Sequence, residues 1–246
     1  FGEQVLPSEL VAKLDEINNM TKDDEKKIVP GIAYTYTEPT IMFEYALETM
    51  KLAYKKGYYN VWVSNGFTNP EAIKKIARYM HAINVDYKGD DNFYRNVCSA
   101  WLEPIREALK LYKKFGVWIE ITNLLIPGYN DDKDIILDMV RWIRENLGRE
   151  TPLHFSAYYP AYKMRAPPTS VETLEMAAKL AEDYLDYVYI RNVRHEKENT
   201  YCPNCKHLLI RRFGFFVKEI NLERKGRRFF CPNCGHRIPI RGEKWI

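Results

Sequence analysis

Two spacings of apolar residues alternate through the first 190 positions. Short runs rich in β-branched and aromatic residues predict buried strands at Gly31–Tyr36, Asn60–Ser64, Ala82–Tyr87, Val117–Leu125, Leu153–Ala157 and Tyr187–Ile190. The longer stretches between them repeat their apolar positions at helical spacing. In Thr40–Lys56, residues Phe43, Ala46, Leu47, Met50 and Ala53 share one face; Pro70–Met80, Trp101–Phe115, Asp131–Asn146 and Ser170–Leu185 follow the same rule. Asp131 and Ser170 are candidate N-caps. Strand then helix, repeated along the chain, predicts an α/β protein with parallel strands and right-handed crossovers, either an open doubly wound sheet or a (β/α) barrel. In both, ligands gather at the loops that follow the strand C-termini, so those loops are the first place to look for chemistry.

The pattern breaks near Asn199. Helical spacing stops, and short strand-like runs at Leu208–Ile210, Phe215–Leu222 and Arg228–Phe230 surround two Cys-Pro-Asn-Cys turns. Each turn sets two thiolates side by side, and two such turns can close a tetrahedral S4 site. Cys202, Cys205, Cys231 and Cys234 are therefore candidate metal ligands of a zinc ribbon. Zinc is expected ahead of iron, because it is the commoner ion in such ribbons. Four thiolates leave no open coordination position, so the role is structural. Arg191–Thr200, polar and charged, reads as a linker, which divides the chain into residues 1–192 and 193–246.

Composition changes this picture in two ways. A chain of 246 residues, 46% hydrophobic, fits one large domain with a small appendage. No apolar run approaches the ~18 residues of a membrane helix. No membrane partner is expected, and paired thiol turns suit a reducing compartment, with the cytoplasm as the expected location. The net charge of +4 hides an asymmetry: residues 191–246 hold 14 Lys and Arg against 5 Asp and Glu, while the preceding 190 hold 23 against 28. Such a tail can attract RNA or an acidic protein surface, although a solvated basic face is an equally good account.

Several post-strand loops carry polar residues. Tyr34-Thr35-Tyr36-Thr37-Glu38-Pro39-Thr40 places a carboxylate before a helix, either to hold an ammonium group or to favour the helix N-terminus with Thr as the cap. Ser64-Asn65-Gly66-Phe67 can make a turn with positive φ at Gly66 or present an amide and a hydroxyl to a ligand. Asp86 and Lys88, two apart, share a strand face, either buried at a barrel mouth or solvated outside it. Ile126-Pro127-Gly128-Tyr129-Asn130-Asp131 is a sharp strand-to-helix connection. His154, in an apolar strand, is expected to be a hydrogen-bonded core residue, and Cys98 a small buried hydrophobe.

Taken in order, these loops and the run Glu198-Asn199-Thr200-Tyr201-Cys202-Pro203-Asn204-Cys205 resemble the radical SAM proteins related to pyruvate formate-lyase activating enzyme, in the AmmeMemoRadiSam subgroup. The resemblance covers essentially the whole chain. It implies an α/β partial (β/α) barrel of parallel strands with a small C-terminal zinc-ribbon module. It further implies S-adenosylmethionine bound beside a [4Fe-4S] cluster, and a 5′-deoxyadenosyl radical that abstracts hydrogen from an unknown substrate, which in such proteins can itself be a protein. By the same resemblance, Thr37 and Glu38 receive the methionine ammonium, with Tyr36 alongside. Ser64 and Asn65 fall near the ribose or the carboxylate. Asp86 and Lys88 suit a zwitterion, and Ile126 lines the adenine pocket. Tyr159 stands where relatives often have His before Pro.

The resemblance has one gap. The family holds its cluster on a Cys-x3-Cys-x2-Cys loop, and no such motif occurs here. The chain opens at Phe1-Gly2-Glu3 without Met, and the expectation is that the cluster ligands lie upstream, leaving the chain as given without radical activity. The competing expectation is a non-catalytic scaffold whose basic ribbon binds RNA or an acidic partner.

Overall fold

The computed structural model describes residues 3–20, 29–214 and 216–242. Parallel strands in chain order alternate with helices, the α/β partial-barrel class. The chain forms two compact units, residues 1–85 with 104–119, and 86–103 with 120–246.

In the first unit, helix α1 (Pro7–Met20) precedes β1 (Gly31–Tyr34). A 3-10 turn (Pro39–Met42) opens α2 (Phe43–Lys55), followed by β2 (Tyr59–Ser64), α3 (Pro70–Ile76) and β3 (Ala82–Asp86). β1 pairs with β2, and β2 with β3, all parallel. β1 and β3 stop two and one residues before their sequence-predicted ends, while β2 starts one residue early and ends at Ser64 as expected. In β2 and β3, alternate residues are buried, with Asn60, Trp62, Ser64, Ile83 and Val85 on the closed face; their neighbours on the other face are half-exposed. Asn60 is a fully buried polar anchor: its amide donates to the carbonyls of Met50 and Tyr79 and accepts from the Tyr34 hydroxyl. A polar group placed there is tolerated only because its bonds are made. Asn69 caps α3 by accepting from the Ala72 N–H at 2.8 Å, with Pro70 at the first helical position.

The second unit holds a short helix α4 (Asp91–Phe93) that runs into a π-helical turn (Tyr94–Cys98). Helix α5 (Leu102–Lys114) and strand β4 (Trp118–Leu125) each begin in one unit and end in the other. Then come α6 (Lys133–Asn146), β5 (Leu153–Ala157), α7 (Val171–Glu182) and β6 (Val188–Arg191), with β4–β5–β6 parallel. Ser170 caps α7 as expected, accepting from the Thr173 N–H. The cap of α6 is Asp132, not Asp131; Asp131 accepts instead from the Gly128 N–H at 2.8 Å and closes the Pro-Gly turn.

The tail builds two small antiparallel sheets: β7 (Thr200–Tyr201), β8 (Leu208–Phe213) and β9 (Phe216–Ile220), then β10 (Glu223–Lys225), β11 (Arg228–Phe230) and β12 (Arg237–Ile238). Phe215, the first residue of one predicted run, lies outside the described residues. The ribbon's own core is small, with Cys202, Leu209, Ile210, Phe229, Cys231 and Ile238 buried. So small a core needs a staple. Arg191–Thr200 is an ordered connection: a 3-10 turn (Glu196–Glu198) ties β6 to the ribbon, and the Tyr189 and Thr200 hydroxyls meet at 3.0 Å. Among the described residues, no helix is long and apolar enough to cross a membrane.

Candidate cofactor loops and metal centre

At the C-terminal ends of β1 and β2 one carboxylate organises two loops. Glu38 Oε1 accepts from the Thr40 N–H (3.1 Å), the Thr40 hydroxyl (2.6 Å) and the Ser64 hydroxyl (2.9 Å). Its Oε2 accepts from the Asn65 N–H at 2.8 Å. The cap of the 3-10 turn is thus Glu38 itself rather than a threonine. A carboxylate offers two lone pairs per oxygen, so Oε1 is crowded and Oε2 keeps one acceptor position. Ser64 Oγ also accepts from the Gly66 N–H, and Asn65 Oδ1 from the Phe67 N–H at 2.8 Å. Gly66 adopts φ +78°, and a Cβ there would lie 2.7 Å from Val85 Cγ1, so both conformation and space require glycine. Upstream, Tyr36 has φ 71° and the Thr37 N–H donates to the Thr35 carbonyl at 3.1 Å, a match to the rare, strained γ-turn. Tyr36 and Thr37 are exposed. The structure therefore brings Glu38, Ser64 and Asn65 together and leaves Tyr36 and Thr37 on the outer rim of the loop.

The second unit carries the other predicted residues. Asp86 lies on the half-exposed face of β3, alternating with buried Val85 and Tyr87. Lys88 Nζ reaches its carboxylate at 2.9 Å, and the two side chains are 34% and 41% exposed for Lys and Asp. The pair is neither deeply buried nor splayed into solvent. Its backbone is held firmly: Tyr94, buried in the π turn, accepts from the Lys88 N–H and donates to the Asp86 carbonyl. Asn130, 1% exposed, donates to the carbonyls of Lys88 (2.6 Å) and Leu124 (2.8 Å) and accepts from the Ile126 N–H (2.7 Å). Thr169 joins two strand ends, donating to the Leu125 carbonyl and accepting from the Tyr158 N–H. Ile126 is buried with Phe93, Tyr158 and Ala166, and Cys98 packs against the same cluster, where burial pushes its thiol up. Tyr159 is half-exposed and donates to the Asn192 carbonyl. Sequence reasoning treated Asn130 as part of a turn and missed Tyr94 and Thr169; an Asn just after a Pro-Gly turn was the only local signal. His154 is the hydrogen-bonded residue expected, 2.9 Å from Glu120 and stacked on Tyr189.

In the tail, the sulfurs of Cys202, Cys205, Cys231 and Cys234 all lie within 4.8 Å of one another, two pairs at 3.6 Å. A tetrahedral ion ~2.3 Å from each sulfur would set them about 3.8 Å apart, so the cluster has the right size. The turns are built alike. Cys202 N–H bonds the His207 carbonyl and Lys206 N–H the Cys202 carbonyl; Cys231, His236 and Gly235 repeat both bonds. Lys206 and Gly235 occupy the same left-handed position, at φ 60° and 71°. The thiols are not equivalent: hydrogen bonds led by the Asn233 amide draw Cys205 down to about 6, and burial pushes Cys202 up to about 12.

A family model described as the radical SAM superfamily matches residues 7–143. An uncharacterized protein of Methanocaldococcus jannaschii is 52% identical over 197 residues, which is 79% of this chain and 59% of that protein. The chain thus spans about three-fifths of the length of this curated relative. Solved structures share the fold, among them the two that follow. A domain of pyruvate-formate lyase-activating enzyme from Bacteroides vulgatus aligns with a TM-score of 0.58 and 19% identity, over 66% of this chain and 99% of that one. A radical SAM methyltransferase from Sphaerobacter thermophilus aligns with a TM-score of 0.60 and 15% identity, over 83% and 62%. A parallel α/β array with its polar knot at the end of the first strands, matched over more than half its length by that model, belongs to the radical SAM superfamily, with a fold related to that of the pyruvate formate-lyase activating enzymes.

Proposed function

We propose that this protein is an S-adenosylmethionine-dependent radical enzyme of the activase-like group, in the AmmeMemoRadiSam subgroup, acting by hydrogen abstraction on a substrate that its residues do not name. The observation that supports this reading is Glu38. Its carboxylate is held at the strand ends by four donors and keeps one acceptor position on Oε2, which suits the methionine ammonium. Asn65 and Ser64 shape that loop, since their side chains are already engaged in its turn.

The chain's cysteines do not fit the family's [4Fe-4S] cluster. Four are gathered in the tail, and Cys98 packs in an apolar cluster by itself. The whole protein must supply that cluster's thiolates elsewhere if it is an enzyme. The tail cysteines suit a closed structural ion, zinc ahead of iron, with no place for substrate. The test is anaerobic reconstitution of the full-length protein with iron and sulfide, followed by reduction with S-adenosylmethionine present. Cluster absorbance and 5′-deoxyadenosine are expected. A full-length protein that shows neither would be the scaffold of the competing reading.

A further inference from the structure

Where β6 meets the ribbon, two arginines converge on one oxygen. Arg191 Nη1 and Arg212 Nη1 each lie 3.3 Å from the Glu198 carbonyl. Arg212 Nη1 also donates to the Thr200 hydroxyl at 2.6 Å, and Arg191 Nε to His154 Nδ1 at 3.3 Å. Both guanidiniums stand over the Tyr189 ring, their Cζ atoms 5.1 and 5.8 Å from its centre. Two like charges are therefore held together, partly buried, and burial followed by Arg212's charge pulls the Arg191 guanidinium down. Among the described residues, neither arginine has a carboxylate within ion-pair distance. Glu120 and Glu198 act on Arg191 at longer range, and both are engaged: Glu120 holds His154 Nε2, and Glu198 Oε2 accepts from the Gly214 N–H. Crowded guanidiniums without a direct ion pair and with remaining N–H donors match a phosphate, which two forks can grip by several charge-assisted bonds.

The hairpin that carries Arg212 also holds exposed rings with cations over them. Phe213 follows Arg212 and is 47% exposed, with Arg194 Cζ 4.3 Å from its centre. Across the hairpin it pairs with Phe216, 68% exposed, which has Lys218 Nζ 5.7 Å from its centre. Every residue of β9 is exposed. Open aromatic faces interleaved with cations, next to a phosphate-sized fork, are what a single strand of nucleic acid requires: stacking for bases, charge for the backbone. An acidic protein surface would answer the charge and leave the rings without stacking partners. We infer that the end of this hairpin, with Arg191 beside it, binds single-stranded nucleic acid, with one phosphate in the arginine fork and neighbouring bases on the Phe213 and Phe216 rings. This inference is independent of the Glu38 reading, and its readout is binding.

The experiment is fluorescence anisotropy with a labelled single-stranded RNA of about 12 nucleotides, within the span such surfaces cover, and the full chain with its metal. Binding should weaken steeply with salt. Phe213→Ala should weaken it about fivefold, and Arg212→Lys, which keeps the charge and loses the fork, at least tenfold. Retained metal content and circular dichroism show that each variant is folded. Wild-type affinity in Arg212→Lys would overturn the fork. A duplex of the same sequence binding as tightly would overturn the stacking. Polyglutamate competing as well as unlabelled RNA, or inorganic phosphate binding where RNA does not, would overturn the assignment to nucleic acid.

Discussion

The Glu38 knot and the tail cysteines are both polar clusters, and they differ in what completes them. Glu38 is answered by its own chain: two backbone N–H groups and two hydroxyls from successive loops converge on one carboxylate. The four thiols have one another and a handful of backbone and amide donors, and the buried residues beside them are Leu209, Ile210, Phe229 and Ile238. A cluster satisfied from within folds before its ligand arrives and can be tuned to receive it. A cluster of sulfurs that must become thiolates to bind acquires its stability from the ion, and its folding is bound to metal and to pH.

That contrast can be broken at several points. The largest effect belongs to the tail. Chelation, or Cys202→Ser with Cys231→Ser, should unfold residues 200–242, a loss on the order of 10 kcal/mol of binding free energy. Hydrogen exchange should show the ribbon amides unprotected while those of β1 and β2 stay protected. A ribbon that keeps its protection without metal would remove the distinction. Next, Glu38→Ala should lower stability by about 3 kcal/mol, because the Asn65 and Thr40 N–H groups lose a charged acceptor. The denaturant midpoint of the first unit reads this. Smaller again, Lys206→Gly should stabilise the ribbon by about 1 kcal/mol, since a side chain is held there in the left-handed region that Gly235 occupies freely. Smallest is Asp86→Asn, at about 0.5 kcal/mol, the worth of a half-exposed pair. An Asp86 effect as large as that of Glu38 would mean that the pair is a second structural knot.

The sequence carried the strands well, because alternation and β-branching are local properties: β5 and β11 match to the residue. Helix α1 escaped notice although Leu10, Val11, Leu14 and Ile17 fall at helical spacing; only Val11 and Leu14 of these are buried. Asp131 and Asp132 stand side by side before one helix, and spacing alone does not choose between them. Glu38 was read as a ligand or a dipole partner; its role as the acceptor that joins two loops needs Ser64 and Asn65 in space. Asn130 and Tyr94 act through partners 42 and 8 residues away. The arginine fork was hidden for the same reason, because Arg191 and Arg212, 21 positions apart, meet at the Glu198 carbonyl and the Tyr189 ring.

The most direct measurement compares S-adenosylmethionine with its deaminated analogue by calorimetric titration of the anaerobically reconstituted full-length protein, wild type and Glu38→Gln. If the open acceptor on Glu38 receives the ammonium, removing the amine costs the wild type at least tenfold in affinity and costs the variant little more than its own loss. Equal losses in both proteins would contradict it.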